Sequence, residues 1–428
     1  MPNQVTNDAA WRVLFDRHEI PRRVESDGLA YIDAADIKVE REPRLMAKFD
    51  HAVNLPAIFK QHGYSILPVS RGRYVIGPLD TYQSLPTAEV PPKYSPLPDW
   101  IESLTTNHVA SETLLLNCAL AAGMLGDFLG EDQLVATVSG RMASGQLEFW
   151  VQSRYPDART PFRLQVDNAQ VEVDLALEGA SQLALVEAKM SVAEDFLVRQ
   201  LYYPFLTWTD RVKKPVNPVY VAYSNGKYCM WRYRVSDPGD YNSLVLADYR
   251  EYILEHDEIT AEQAESAEVI LPDLRFSKRV FPQANSFERV VNLMEVLALR
   301  PATKSDIYER YAFDQRQADY YASALAYLGL AERVSRGGRR EWTLNSAGKQ
   351  LMSVDLRQRN LQLAALILRE RPFRQTFDHW AATGEPPSQD WIAERIAEAT
   401  QNLSGTTPGR RASSVLNWVR WVRELPNT

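Results

Sequence analysis

The sequence predicts a multidomain α/β protein: a mixed sheet core, a small α+β domain before it, and a helical end carrying a two-stranded ribbon. Three observations lead there. The 428 residues are 45% hydrophobic and 24% charged, enough apolar chain for more than one core. Residues 86–98 hold five prolines (Pro86, Pro91, Pro92, Pro96 and Pro98), a density that forbids regular structure and marks a boundary. Past that stretch, strand-length apolar runs dominate, and from Phe287 helical spacing takes over. The domains expected are 1–97, 98–275, 276–355 and 356–428.

Several classes are excluded at once. Cys118 and Cys229 lie far apart with no Cys-x-x-Cys near them, so neither a disulfide framework nor a structural zinc site is indicated. Residues 1–14 carry Asp8 and Arg12 and lack an apolar leader core. The longest greasy run, 114–125, is interrupted by Asn117 and too short to span a bilayer. A cytoplasmic protein without membrane contact is expected. The six histidines are scattered and pair with no serine nucleophile motif, and no Gly-x-x-x-x-Gly-Lys-Ser/Thr loop exists, so neither serine hydrolysis nor ATP-driven translocation is supported. Charge is unevenly spread: residues 1–97 are neutral, 98–275 carry −13 and 276–428 carry +6, within a net charge of −7. A basic end on an acidic body suits a polyanion reader attached to a domain able to bind divalent cations.

In chain order, a helical segment at 55–61 precedes 63–77, which reads as two short strands joined by a basic turn at Arg71 and Arg73. Residues 108–129 are apolar on nearly every face and predict one core helix. Strands follow at 134–138, 147–151, 164–166, 171–177, 183–188 and 219–222, with a helix at 193–207 between the last two. Residues 269–283 read as a connector. Helices are then expected at 287–298, at 303–311 with a Thr cap, and at 314–328 with an Asp cap and a stop at Gly329. Short strands at 331–334 and 342–344 flank the basic tip Ser335-Arg-Gly-Gly-Arg-Arg340. This succession resembles a winged helix-turn-helix module. Helices at 361–369 and in the basic tail 408–423 complete the chain, with Trp418 and Trp421 on one helix face as core residues.

The chemistry gathers in the middle domain. Residues 171–177 alternate, with Val171, Val173, Leu175 and Leu177 on one face and Glu172, Asp174 and Ala176 on the other. The next strand ends in Glu187-Ala-Lys189, whose charged side chains share a face. A turn symmetric about Ala180 and Ser181 sets Asp174 directly opposite Glu187. Two carboxylates so placed repel unless a cation neutralises them, and Mg²⁺, a hard ion satisfied by oxygen ligands and water, is the natural one. The lysine beside them suits a role in orienting an attacking water at a phosphodiester. The plainer reading is a surface hairpin with ordinary charges; the apolar neighbours Leu183, Leu185 and Val186 count against it.

Asp174, a hairpin and Glu187-Ala-Lys189, preceded by a helix with Glu112 and followed by one with Gln200, resemble the PD-(D/E)XK nuclease superfamily across residues 100–225. With the winged-helix likeness over 287–350, the chain is similar to a type II restriction endonuclease, which implies a restriction-endonuclease-like mixed sheet core. The resemblance implies that Asp174 and Glu187 ligate Mg²⁺ and that Lys189 contacts the nucleophilic water and scissile phosphate. Glu112 would be a helix-borne acid supporting the metal or a water ligand, or a carboxylate complementing its helix dipole. Gln200 matches a glutamine that some of these nucleases carry on the following helix. Val173 stands where the family name has proline, at a variable position.

In a winged helix-turn-helix the third helix enters the major groove, and here it carries Gln315, Arg316 and Gln317, side chains suited to bidentate contacts with adenine and guanine. Arg336, Arg339 and Arg340 of the wing suit phosphate or the minor groove, and Arg141, Arg410 and Arg411 suit phosphate. A protein-binding winged helix is the alternative, given Asp314 and Asp319. The expected function is that of a Mg²⁺-dependent endonuclease cutting double-stranded DNA at a specific sequence. It would act as at least a transient homodimer, with a cognate DNA methyltransferase as partner in the system. The alternatives are a defence or repair nuclease directed by structure or modification, and a DNA-binding regulator with an inactive nuclease-like core.

Overall fold

The computed structural model describes residues 6–86, 91–104, 109, 111–155, 160–254, 259–271, 280–310, 315–399 and 407–425; of 309, 310, 315, 316 and 407 only the backbone is described. The chain is a mixed α/β protein that divides into two compact units. The first comprises Met1–Val90, Leu115–Ala222 and Cys229–Arg250, and the second Pro91–Leu114, Tyr223–Tyr228 and Glu251–Thr428.

The first unit opens with the helix Asn7–Arg17, capped by the Thr6 hydroxyl, which accepts from the Ala9 N–H at 3.3 Å. Its buried Trp11 and Phe15 meet Phe59 edge-on, with centroids 4.8 and 4.9 Å away. Phe59 sits on the helix Ala57–His62, which ends at Gly63 in the left-handed region (φ 66°) before the predicted hairpin, observed as Ser65–Ser70 and Arg73–Gly77. These strands share a five-stranded sheet, in the order Ala30–Asp33, Arg73–Gly77, Ser65–Ser70, Phe162–Asp167, Gln146–Val151. Strands from the start and the middle of the chain thus make one surface.

The other large sheet runs Val135–Ala143, Gln170–Glu178, Leu183–Lys189, Val216–Ser224, Lys227–Val235, Leu244–Ile253, and the end of the last pairs in parallel with Lys93–Tyr94. Leu183–Lys189 is buried at every residue, antiparallel to Gln170–Glu178 on one side and parallel to Val216–Ser224 on the other. The parallel pairing requires a crossover, supplied by the helix Arg199–Thr209. That helix begins later than the apolar spacing predicts. Residues Asp195–Leu197 instead form a strand paired with Tyr82–Ser84, and the Val198 N–H donates to the Thr81 carbonyl at 3.0 Å, so a distant partner holds this stretch extended. The core helix expected over 108–129 is two helices, Glu112–Ala121 and Met124–Leu129, broken where Gly123 adopts φ 75°. Two strands, Lys227–Val235 and Leu244–Ile253, escape the apolar pattern.

The second unit holds the helix Phe287–Leu299, strand Ala302–Thr303, helices Lys304–Arg310 and Gln315–Tyr327, and strands Ala331–Arg336 and Arg339–Leu344. The strands form a three-stranded sheet with Arg339–Leu344 central. Thr303 caps its helix as expected, its hydroxyl accepting from the Asp306 N–H at 3.1 Å; the Asp314 cap falls outside the described residues. Five helices follow, Ser346–Ser353, Leu356–Leu368, Arg371–Thr383, Gln389–Ala399 and Thr407–Glu424. Trp418 and Trp421 are core residues, packed 4.9 and 4.5 Å from the Phe287 ring, and the Trp418 indole donates to the Ala284 carbonyl at 2.8 Å. Of the connector 269–283, residues 272–279 lie outside the described residues.

Within this unit the turn Asn225-Gly226 (φ 50° and 81°) is bound by a buried acid: the Asn225 N–H donates to Glu295, itself 3.6 Å from the Arg359 guanidinium. A Cβ on Gly226 would lie 2.1 Å from Leu356 Cδ2. Gly226→Ala should therefore lower stability by about 1–3 kcal/mol in denaturant titration, through crowding and left-handed strain. The loss should be smaller in a Leu356→Ala background, which frees the space but leaves the backbone strain.

Candidate active site

The geometry of the site begins in a turn. The Gly179 N–H donates to the Gln182 carbonyl at 3.0 Å, and the Glu131 carboxylate accepts from the N–H groups of Ala180 and Ser181 at 3.2 and 3.1 Å and from the Ser181 hydroxyl. A side chain at 179 would collide with Glu131, since a Cβ would lie 2.5 Å from its Cδ. With the turn held symmetric about Ala180 and Ser181, the strands pair Leu183 with Glu178, Ala184 with Leu177, Leu185 with Ala176 and Val186 with Leu175. This is the register the sequence implies, and its next step faces Glu187 with Asp174. There the backbone pairing stops, and Asp174 Oδ2 accepts the Ala188 N–H at 2.9 Å, a side chain replacing a ladder partner.

Glu187 and Lys189 are 7% and 9% exposed, so their mutual interaction is little screened by water. Lys189 Nζ donates to Glu187 Oε1, and Gln200 Nε2, from the first turn of the crossover helix, donates to the same oxygen at 2.6 Å. Gln200 Oε1 is left buried without a hydrogen-bond partner. Burial pushes the Glu187 carboxyl up, Lys189 pulls it back, and Asp174 and Asp50 push it up again, leaving it at about 8 against an ordinary 4.5.

A third acid joins this group from far away in sequence. Asp50 Oδ2 lies 3.8 Å from Lys189 Nζ and 3.9 Å from Lys48 Nζ, while Asp50 Oδ1 is buried with no hydrogen-bond partner. Burial raises the Asp50 carboxyl, but Lys189 above all, with Lys48, His51 and Arg199, more than reverses this and holds it below its usual value. Three segments are laced together here. The Leu197 N–H donates to the Asp50 carbonyl at 2.9 Å, Tyr82 hydroxyl to the Phe49 carbonyl at 2.9 Å, and the Ala52 N–H to Asp195 Oδ1 at 3.1 Å; His51 Nδ1 lies 2.5 Å from the Asp195 carbonyl. Asp50 and His51 are invisible to sequence reading, since the short segment Lys48-Phe49-Asp50-His51 carries neither a motif nor a periodicity that singles them out.

The remaining predicted residues are dispersed. Glu112 heads its helix, half-buried, and is grouped with the second unit. Arg141 lies across from Glu172, two residues before Asp174, and its Nε is 3.1 Å from the Glu172 carboxylate. Tyr202, a neighbour of Gln200, donates to the Pro238 carbonyl at 2.6 Å, a structural bond. In the second unit, Gln315 and Arg316 open the helix Gln315–Tyr327, and their side chains lie outside the described residues. Gln317 accepts from Arg289 at 3.3 Å, and Asp319 pairs with Lys304 at 2.6 Å. Arg336 and Arg339 face each other across the Gly337-Gly338 turn, and with Arg340 they are exposed. Arg410 is exposed at the start of the last helix; Arg411 beside it is half-buried, with Nε and Nη1 lacking hydrogen-bond partners, and burial lowers its pKa while Tyr320 raises it.

Among the described residues no group of three or more His, Cys, Asp or Glu side chains stands ready as a metal cage. A cation that keeps much of its water needs less: Mg²⁺ is commonly held through one or two carboxylates. Asp174 and Glu187 offer oxygen ligands from adjacent strands, and the buried, unpartnered Gln200 Oε1 adds a further oxygen acceptor. This all-oxygen donor set fits a hard divalent ion.

Three family models match the chain in succession, all described as domains of unknown function: DUF6996 over residues 8–76, DUF6997 over 77–253 and DUF7226 over 289–427. No curated protein and no solved structure matches. Asp174, Glu187, Lys189 and Gln200 fall within the second match and Asp50 within the first, so the site is assembled from both. No helix among the described residues is long and apolar enough to cross a membrane.

The raised Glu187 carboxyl has a measurable consequence. Between pH 4.5 and about 8 the native state holds a proton that the unfolded chain has released, so this group lowers stability as pH rises through that window, with no further change above it. In chelator, the melting temperature of Glu187→Gln relative to wild type should climb from pH 5 to pH 8 and then level off; a pH-independent difference would contradict the assigned environment.

Proposed function

We propose that the chain is a Mg²⁺-dependent endonuclease of the PD-(D/E)XK type, cutting double-stranded DNA at a specific sequence in the manner of a type II restriction enzyme. The observation that carries this reading is the convergence of Asp174, Glu187, Lys189 and Gln200 around one buried carboxylate, on a hairpin and crossover helix in the order that superfamily uses. The mixed sheet with its helical crossover supports this reading.

Asp174 and Glu187 would hold the ion. When bound, Mg²⁺ would polarise the scissile phosphate and make a coordinated water a stronger nucleophile. The chain's own groups supply the rest. Gln200 orients Glu187 through its amide, which would steady the carboxylate that holds the ion. The Lys189 ammonium orients water and phosphate oxygen, and a positive charge there stabilises the negative charge that builds on the phosphate during attack. Burial of Glu187 and Lys189 excludes bulk water, which strengthens each of these interactions.

The order helix, strand, helix, helix, strand, strand over Phe287–Leu344 supports a winged helix-turn-helix reading, in which Gln315–Tyr327 would be the reading helix and Arg336, Arg339 and Arg340 would lie on the wing. These wing arginines have no ion-pair partner among the described residues, so their charge is available to phosphate. Scission of both strands from one centre per chain calls for at least a transient homodimer, and protection of the host's own sites calls for a cognate methyltransferase. We place the protein in the cytoplasm, where its DNA would be.

On plasmid DNA with Mg²⁺ the chain should release discrete fragments. A smear would point to recognition of structure or modification, and binding without cutting to a regulator. Lys189→Ala should keep DNA affinity and lose at least about 100-fold in cleavage rate; undiminished cutting would remove the site assignment. Replacing Arg336, Arg339 and Arg340 together by Ala should weaken binding alike on all sequences. The slope of log affinity against log salt should fall by about 2–3, while the cleavage pattern stays the same.

A further inference from the structure

We propose that Asp50 is a positioning residue of the same centre, which takes over the Lys189 ammonium when Glu187 turns to a metal ion. The inference rests on the metal-dependent reading above and adds a residue from the other end of the unit. Lys189 Nζ donates to Glu187 Oε1, the oxygen that also receives Gln200 Nε2 at 2.6 Å. A divalent ion on Glu187 therefore competes with the lysine for that carboxylate and sets a second positive charge beside it. A buried ammonium driven off one anion needs another.

Asp50 answers that need in three respects. Its Oδ2 is already 3.8 Å from Nζ, so a small side-chain rotation closes the contact. Its Oδ1 is buried and accepts no hydrogen bond, leaving acceptor capacity unused where water has little access. Its backbone is pinned on both sides, by the Leu197 N–H on its carbonyl at 2.9 Å and the Tyr82 hydroxyl on the Phe49 carbonyl at 2.9 Å. The carboxylate is thus held in place before any ion arrives. Lys48, 3.9 Å away and 42% exposed, can turn outward as Lys189 approaches. The acid that serves Lys189 lies in one matched family region and the lysine in the next, which gives a physical reason for the two to share one unit.

The test is a double-mutant cycle on metal affinity, measured on the full-length chain without DNA by calorimetric titration with Mg²⁺ and by electron spin resonance of free Mn²⁺. Asp50→Asn should weaken metal binding by about tenfold, because the lysine then loses the carboxylate charge 3.8 Å from its ammonium and holds Glu187 more firmly. Lys189→Met should bind the ion more tightly than wild type, the competitor being gone. In the Lys189→Met background, Asp50→Asn should change affinity by less than about twofold, and Asp50→Glu should restore most of the wild-type affinity. Unchanged affinity in Asp50→Asn would overturn the proposal, and so would an equal loss in the two backgrounds, which would make Asp50 a direct ligand. A measurement on the wild-type chain needs only Lys189→Met to fold: the ¹³Cε signal of Lys189, assigned by its loss in that variant, should shift on adding Mg²⁺, and a stationary signal would overturn the proposal. A chain that binds no divalent ion would remove both this inference and the nuclease reading. One that follows the cycle but cuts no DNA would remove the nuclease reading alone.

Discussion

A single-residue slip between Gln170–Glu178 and Leu183–Lys189 would turn Asp174 away from Glu187, because side chains alternate faces along a strand. The register is therefore the constraint on which the site depends, and it is set outside the site. Glu131 gathers the N–H groups and hydroxyl of the tight turn, and the hairpin grows from it in one alignment only. At its far end the pairing yields to Asp174, whose carboxylate takes the Ala188 N–H. The acid is then fixed by the strand it faces as well as the strand it sits on.

The second consequence concerns buried charge. Leu183–Lys189 is covered along its whole length, so Glu187 and Lys189 leave water on folding and compensate each other and draw in Gln200 and Asp50. A buried pair of this kind is a poor source of stability, since desolvation offsets much of its attraction. The unpartnered oxygens of Gln200 and Asp50 lie beside the same pair, buried acceptors with capacity left open.

The second unit follows a different economy of charge. Its interior is closed by aromatic packing of Trp418 and Trp421 on Phe287 and by the buried Glu295 and Arg359, while Arg336, Arg339 and Arg340 around the Gly337-Gly338 turn and Arg410 in the last helix are exposed. Exposed cations on a short two-stranded ribbon add little to folding. They shape the field outside it instead.

Much of this was legible from residue order alone. Strict alternation over 171–177 and the two-residue spacing of Glu187 and Lys189 specify a face, and a symmetric turn specifies who stands opposite whom; these are local rules, and the observed register obeys them. Helix caps such as Thr303 and the stop at Gly329 are local as well. The strands Lys227–Val235 and Leu244–Ile253 carry Arg232, Arg234, Asp248 and Arg250 among their apolar residues and so blurred the period, although Asn225-Gly226 is itself a hairpin signal. The strand at Asp195–Leu197 and the arrival of Asp50 beside Lys189 were decided only by the tertiary structure. Both depend on a partner more than a hundred residues away, Ser84 for Asp195 and Asp50 for Lys189, and no local periodicity records which distant segment will dock there.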